Sequence, residues 1–283
     1  MSSIYISTGG FFDQNGIKSF DYLRKHNIKL VELSGGEHFK NFKKFLPKLK
    51  DNSQIHNYFP PPKKSFVLNL SSKDPKIVKK SIDLVKKNIL YSRKINSKFY
   101  SFHAGFRVDP KPKELGKKFR VKKILSKKEA EDIFLNRLIK LDKIAKKNNV
   151  KLLIENNVIN KKNLKTFKTN PLLLTTPNEI LNFFKKLKYY NLDIGLLLDV
   201  AHLKVSSKTL GFNLQKAHKD LSKIITAYHL SDNNGYEDSN QKFTKKSWFW
   251  KYLKEKVMFY TIEVYNIDHK GYLKLIKILK SKI

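Results

Sequence analysis

The stretch Gly195-Leu-Leu-Leu-Asp-Val-Ala-His202 carries the strongest signal of fold in this chain. Three consecutive leucines without polar alternation are typical of a strand that is buried on both faces, as parallel strands are when helices cover them. The run ends on Asp199, and His202 follows three residues later. An acid and an imidazole at the exit of a buried strand indicate a functional site.

Other apolar runs end in the same way, on a side chain that can bind a metal ion or carry a proton. Residues 98–103, 151–155, 224–229 and 258–263 are four such runs, and the short predicted strand 53–56 is a fifth. In a parallel barrel the carboxyl ends of all strands lie on one face, so we expect these side chains to meet there. The candidate site comprises His56, His103, Glu155, Asp199, His202, His229 and Glu263.

The order of predicted elements favours a closed barrel. Strands at 4–7 and 29–33 precede those above, and every strand is followed by a predicted helix: 17–25, 39–49, 75–95, 126–148, 176–187, 214–221, 245–254 and 271–283. We find no linker rich in Gly, Pro or Ser. The pattern predicts an α/β protein with a single (β/α)8 TIM-barrel domain over residues 1–283, because this fold typically needs about 250 residues.

The net charge of +35 raises the question of a polyanionic partner. Only five of the 59 basic residues are arginines, whereas proteins that contact phosphates and bases use arginine heavily. The lysines are also spread over nearly every predicted helix. We therefore interpret the charge as a solvated helical exterior, and rank nucleic acid below a small molecule as the partner.

The sequence also bears on location and on metal chemistry. No stretch approaches the roughly 20 apolar residues of a membrane span, and the N-terminus lacks the basic start and long apolar core of a signal peptide. We expect a cytoplasmic protein without a membrane partner. Because the chain has no cysteine, any metal site must use His, Asp and Glu. The strand-end set suits Mn²⁺, Zn²⁺, Co²⁺ or Mg²⁺, so we predict a bound divalent metal.

A long predicted loop runs from Gly105 to about Leu125. Loops longer than about 12–15 residues are often lids or binding loops. This one contains Arg107 and Arg120, which we predict to bind an anionic part of the substrate. The alternative is a solvated surface loop without a binding role.

Several strand-end motifs together resemble the xylose-isomerase-like TIM-barrel superfamily, which includes sugar isomerases and epimerases, inosose dehydratase and endonuclease IV. The resemblance covers essentially the whole chain but does not single out one reaction. The motifs are His56-Asn-Tyr, Asn69-Leu-Ser-Ser, Phe102-His-Ala-Gly105, Leu153-Ile-Glu155-Asn, Leu197-Leu-Asp199-Val-Ala-His202, Tyr228-His-Leu-Ser-Asp232-Asn and Thr261-Ile-Glu263-Val.

Resemblance to the epimerase-like members implies one metal held by Glu155, Asp199, His229 and Glu263. The two glutamates would also move the substrate proton through a metal-stabilised enediolate. His202 would by the same resemblance hydrogen-bond a substrate hydroxyl. We therefore expect a metal-dependent isomerase or epimerase that acts on a small sugar or sugar-like polyol.

Two other activities of the superfamily stay open. By resemblance, an endonuclease IV-like phosphodiesterase acting on abasic DNA would hold three metals. One would be bound by His56, His103 and Glu155, a second by the four epimerase-type ligands, and a third by His202 with an Asp-x-His pair. In the latter site Asn240 stands where that resemblance expects a histidine, and asparagine is a poor zinc ligand. A dehydratase would use the same residues as an epimerase. His56, His103 and His202 are therefore expected to bind either a second metal or substrate, and the oligomeric state stays open.

Overall fold

The computed structural model describes residues 2–11, 14–121 and 123–283. Within these ranges, parallel strands close into a barrel in which each strand pairs with the next and β8 pairs with β1. The predicted (β/α)8 barrel is thereby confirmed, while its extent as one domain over residues 1–283 stays a prediction. The strands are β1 (Ser3–Ser7), β2 (Val31–Leu33), β3 (Ser53–His56), β4 (Phe99–His103), β5 (Lys151–Glu155), β6 (Ile194–Asp199), β7 (Ile225–Leu230) and β8 (Phe259–Ile262).

The helices cover the outside of the barrel and follow local start signals. Asp74 caps α3, whose first residue is Pro75, and Thr176 forms a capping box with Glu179 at the start of α6. The α-helices described are α1 (Gly16–Lys25), α2 (Leu46–Leu49), α3 (Pro75–Lys94), α4 (Lys127–Lys147), α5 (Lys161–Phe167), α6 (Pro177–Tyr189), α7 (Val200–Leu210), α8 (Leu214–Leu221) and α9 (His269–Lys280).

Two helix predictions need correction, and two helices were not predicted. The predicted helix 245–254 is wrong: the segment forms turns and the short 3-10 helix Trp250–Tyr252, because its aromatic side chains pack around Phe243 and Phe249 and do not form one helical face. The predicted helix 39–49 is a 3-10 turn, Phe42–Phe45, followed by the short α2. Helices α5 and α7 were not predicted, because the sequence after Glu155 and Asp199 was interpreted only for its strand-end motifs.

One layer of the barrel interior below the strand ends is apolar. Leu153, Leu197, Ala227 and Phe259 pack together there. Because side chains alternate along a strand, the residue two positions after Leu153, Leu197 or Ala227 points to the same interior. Those residues are Glu155, Asp199 and His229.

Gly195 keeps this interior tightly packed, since a Cβ there would lie 2.4 Å from Thr226 Oγ1 and 2.7 Å from Leu153 Cδ2.

None of the helices in the described ranges combines the length and apolar character needed to cross a membrane.

Candidate functional site

The carboxyl ends of the strands bring the strand-end residues of the sequence together. Glu155 and Asp199 are the last residues of β5 and β6, His229 is the penultimate residue of β7, and Glu263 directly follows β8. All four are buried. Each offers a nitrogen or oxygen atom, and these atoms all lie within 4.8 Å of one another. We call this set the four-residue centre.

His229 lies between two carboxylates of this centre. Its Nδ1 is 3.3 Å from Glu155 Oε1 and 3.0 Å from Glu263 Oε2. Asp199 lies beside them as the N-cap of α7, and its Oδ1 accepts a hydrogen bond of 2.7 Å from the backbone N–H of His202. This cap explains the spacing of the opening motif, because it places His202 one helical turn beyond the strand.

A second group shares Glu155 with the four-residue centre. Glu155 Oε2 lies 3.3 Å from His56 Nε2 and 3.2 Å from His103 Nδ1, and these three residues also offer ligand atoms within 4.8 Å of one another. The Glu155 carboxylate therefore faces His229 with one oxygen and the pair of histidines with the other. Of these groups, His103 is the more open, with 30% of its side chain exposed.

Sequence reasoning missed Glu32 of β2, which is fully buried beneath the centre. Its Oε1 lies 3.0 Å from His229 Nε2, while its Oε2 accepts hydrogen bonds of 2.7 Å from Gln54 Nε2 and 3.0 Å from Thr261 Oγ1. The signal in the sequence was an acidic residue between two apolar residues, in what the structure shows to be the short strand Val31–Leu33. That signal is weak because Glu32 does not end the apolar run.

Burial acts strongly on the carboxylates. It raises the pKa of Asp199 to about 7, and the negative charge of Glu155 adds to this effect against the opposing influence of His202. Burial also disfavours ionisation of Glu155, but the imidazoles of His103, His229 and His56 hold its pKa well below the ordinary value. Of these two carboxylates, Asp199 therefore takes up a proton more readily.

The imidazoles divide into two kinds. Burial disfavours the charged form of His229, but Glu32, Glu155 and Glu263 outweigh it and raise its pKa well above the ordinary value. Asp199 and Asp238 do the same for the buried His202. Burial lowers the pKa of His103 to about 4, so its ring is neutral near pH 7.

The donor set fits a divalent cation. Among the described residues, both carboxylate oxygens of Glu155, Oδ2 of Asp199 and both ring nitrogens of His229 are buried without a hydrogen-bond partner of good geometry. Buried polar atoms are normally paired, so such a convergence needs a partner of another kind. Carboxylate oxygens and imidazole nitrogens together suit Mn²⁺, Zn²⁺, Co²⁺ or Mg²⁺.

The third group singled out by the sequence surrounds His202. Its Nδ1 lies 2.9 Å from the backbone oxygen of Asn156, and its Nε2 lies 3.0 Å from Asp238 Oδ2. Asn240 follows Asp238 by two residues and is buried. Its backbone oxygen accepts a hydrogen bond from the backbone N–H of Tyr265. The prediction that this group lacks a histidine for another metal is untested.

The two arginines of the long loop are not brought to the centre. Arg107 donates hydrogen bonds to the backbone oxygens of Leu125 and Asn170 and to Thr169 Oγ1, so its guanidinium ties the loop to the chain before α6. Arg120 is exposed. Their predicted role in anion binding is untested, and the hydrogen bonds of Arg107 give it a structural role as well.

A cavity of about 290 Å³ opens beside His103 and His202. Asn57, Asn157 and Asp238 also line it, and the loop that follows β4 forms much of its outer wall. Ligand pockets in proteins start at about this size. A small molecule in this cavity would contact the two histidines that border the four-residue centre.

Comparison with known proteins places these observations in a family. A family model described as xylose isomerase-like TIM barrel matches residues 15–257. No match was found among curated proteins.

Among solved structures, the chain is similar to a D-tagatose 3-epimerase-like protein, with 21% identity, a TM-score of 0.70, and coverage of 99% of this chain and 96% of the other. It is also similar to an L-ribulose 3-epimerase, with 14% identity, a TM-score of 0.66, and coverage of 98% and 86%. A third similar structure is 3-keto-D-glucoside 4-epimerase from E. coli, with 10% identity, a TM-score of 0.67, and coverage of 98% and 100%. These identities support the fold alone, whereas the family model spans most of the chain. The chain therefore belongs to the xylose isomerase-like TIM-barrel family, which confirms both the resemblance and the prediction of an enzyme.

Proposed function

We propose that this protein is a divalent-metal-dependent isomerase or epimerase that acts on a small sugar or sugar-like polyol. The observation that carries the proposal is the four-residue centre, in which Glu155, Asp199, His229 and Glu263 converge within 4.8 Å at the strand ends. The family supports it, and so do the sugar epimerases among the similar solved structures. The proposal includes one barrel domain over residues 1–283.

In this proposal the four residues of the centre would hold one divalent cation. The cation would act as a Lewis acid on a substrate oxygen and so make the neighbouring C–H more acidic. Glu155 and Glu263 are the acid/base pair, because one carboxylate can accept the proton from carbon while the other returns a proton to it. Nδ1 of His229 faces both of these carboxylates and would be the imidazole ligand of the cation. Burial of the group excludes water that would compete for the proton.

The neighbouring histidines have the secondary role in this scheme. His103 is partly exposed and borders the cavity, so it can hydrogen-bond a substrate hydroxyl. His202 borders the cavity as well, but a hydroxyl that binds to its Nε2 has to take the place of Asp238 Oδ2. His56 is buried behind them and contacts Glu155. The set of His56, His103 and Glu155 can alternatively hold a second cation.

The substitution Glu263→Gln tests the proposal, because it removes the acid/base group and one anionic ligand with little change in shape. We expect proton exchange at the carbon next to the carbonyl to fall by at least about 100-fold, the contribution typical of general acid/base groups. The measurement is deuterium incorporation from D₂O into a panel of ketoses, followed by NMR with the Mn²⁺-loaded protein. The exposed Glu255→Gln is the matched control and should keep full activity. Undiminished exchange in Glu263→Gln would contradict the assignment.

A metal-dependent phosphodiesterase acting on abasic DNA is the second candidate. The group of His56, His103 and Glu155 favours it, because a second cation beside the four-residue centre would suit hydrolysis of a phosphodiester. Cleavage of an abasic duplex that disappears in His103→Ala would rank this activity first. A dehydratase uses the same residues as the epimerase, and loss of water from a sugar in the same NMR assay would identify it.

A further inference from the structure

The cavity beside His103 and His202 has an apolar wall, and we call it the loop-side cavity. Leu68, Phe106, Phe119 and Leu172 line it. They are almost fully buried, with exposed fractions of 3%, 7%, 4% and 4%. The apolar wall is therefore made of packed, buried side chains and is not an exposed surface patch.

A separate apolar cluster holds this wall in place. Phe106, Phe119 and Leu172 pack with Val108 and Ile159 in a cluster distinct from the main core. Hydrogen bonds fix the loop onto the start of α5: the backbone N–H of Phe119 donates to Asn163 Oδ1 at 2.8 Å, and Asn163 Nδ2 donates to the oxygen of Lys117. The loop-side cavity is thus preformed, which lowers the entropic cost of binding a ligand there.

The charges around the cavity are paired within the protein. Asp238 Oδ2 lies 3.0 Å from His202 Nε2, and Glu237 forms an ion pair of 2.9 Å with Lys162. Among the described residues that line the cavity there is no lysine or arginine, although the chain carries 59 of them. Phosphate groups are usually bound by such cations. Two arginines, Arg107 and Arg120, are adjacent in sequence to lining residues; neither lines the cavity, and Arg107 is already bonded to backbone oxygens.

We infer that the substrate of the proposed reaction is an uncharged polyol or ketose with an apolar substituent, and that this substituent binds in the loop-side cavity. This inference rests on the proposed function for the reacting end of the molecule. The polyol part contacts His103 and His202, and the apolar part lies against Phe106, Phe119 and Leu172. A phosphorylated sugar gains nothing from this wall, and among the described residues that line the cavity no lysine or arginine would pair with its charge.

Two matched pairs of probes test the inference by binding, without any need for turnover. Phenyl β-D-glucopyranoside and methyl β-D-glucopyranoside differ in the apolar group, and D-fructose and D-fructose 6-phosphate differ in the charge. With Mn²⁺-saturated protein and isothermal titration calorimetry, we expect the phenyl glucoside to bind at least about tenfold more tightly than the methyl glucoside, because the ring leaves water on binding. We expect the phosphate to give fructose no gain in affinity.

A pair of variants locates the binding. Leu115 lines the cavity at its rim and is 40% exposed, so Leu115→Asp can be made without disturbing the core. It should abolish the preference for the phenyl glucoside. Leu90 on α3 is 48% exposed and does not line the cavity, so Leu90→Asp should leave the preference unchanged.

Three results would each overturn the inference: equal binding of the two glucosides, including no detectable binding of either; tenfold tighter binding of fructose 6-phosphate than of fructose; or an unchanged preference in Leu115→Asp. None of these results would contradict the proposed reaction, which is tested separately by the proton-exchange assay with Glu263→Gln. Conversely, loss of the proposed reaction would leave these binding results interpretable as a site for an uncharged amphipathic ligand.

Discussion

Removal of metal should reverse the way in which the stability of this protein depends on pH. We expect the metal-free protein to lose stability as the pH rises above 6.5. In the folded state burial opposes the charged forms of His229 and His202, but the facing carboxylates raise the pKa of both above the ordinary value of 6.5. Above pH 6.5 the unfolded chain has lost these protons, while the folded chain still holds them. The free energy of unfolding therefore falls as the pH rises, and the stabilising charge pairs of the two histidines are lost once the folded state also releases its protons.

The size of the effect follows from proton linkage. Each proton that the folded state retains and the unfolded state has lost lowers the free energy of unfolding by about 1.4 kcal/mol per pH unit. His202 and His229 together give up to about 2.7 kcal/mol per pH unit while both stay protonated. Asp199, with a pKa of about 7, adds to the slope at the lower edge of this window. Glu155 and His103 have lowered pKa values, so both change protonation below pH 6.5 and contribute nothing here.

A bound cation has the opposite effect, because it needs a neutral His229 and an ionised Asp199 as ligands. Its affinity, and the stability that it adds, should therefore rise with pH. The assay is urea unfolding at pH 6.5, 7.5 and 8.5, with EDTA or with saturating Mn²⁺. His202→Gln removes one retained proton but also the charge that opposes the raised pKa of Asp199, so the metal-free slope should become shallower by less than half. A metal-free stability that is constant or rises over this window would refute the reasoning, as would equal slopes with and without Mn²⁺.

Two further substitutions test residues whose roles emerge from tertiary contacts. Glu32→Gln should weaken Mn²⁺ binding by about 10–100-fold in calorimetry, because the Glu32 carboxylate orients the ring of His229, whereas the exposed Glu129→Gln should leave binding unchanged. Unchanged affinity in Glu32→Gln would show that His229 is held by other contacts. Arg107→Ala should destabilise the protein by about 1–3 kcal/mol in urea unfolding and expose the long loop to proteases, because its hydrogen bonds to backbone oxygens are lost. Arg120→Ala is the matched control, and equal effects of the two would argue against a bracing role for Arg107.

The sequence by itself was sufficient for the barrel and for most of the candidate site. Buried parallel strands are apolar and short, so each left a recognisable run, and the polar residue at its end was conspicuous against it. This is why Glu155, Asp199, His229 and Glu263 could be assigned to one face of the barrel from the order of residues alone. Local start signals were equally readable, as at the capping residue Asp74 of α3.

Only the tertiary structure decided which partners those residues have. Glu32 lies inside a strand, and its importance comes from His229, which is almost 200 residues away in the chain and becomes a neighbour at 3.0 Å only when the barrel closes. From the sequence, Arg107 was interpreted as a cation available to bind substrate. Nothing in the neighbouring sequence reveals that its guanidinium donates hydrogen bonds to the backbone oxygens of Leu125 and Asn170. Periodicity and strand ends are local properties of the chain, whereas ion pairs, satisfied donors and cavity walls depend on contacts between distant segments.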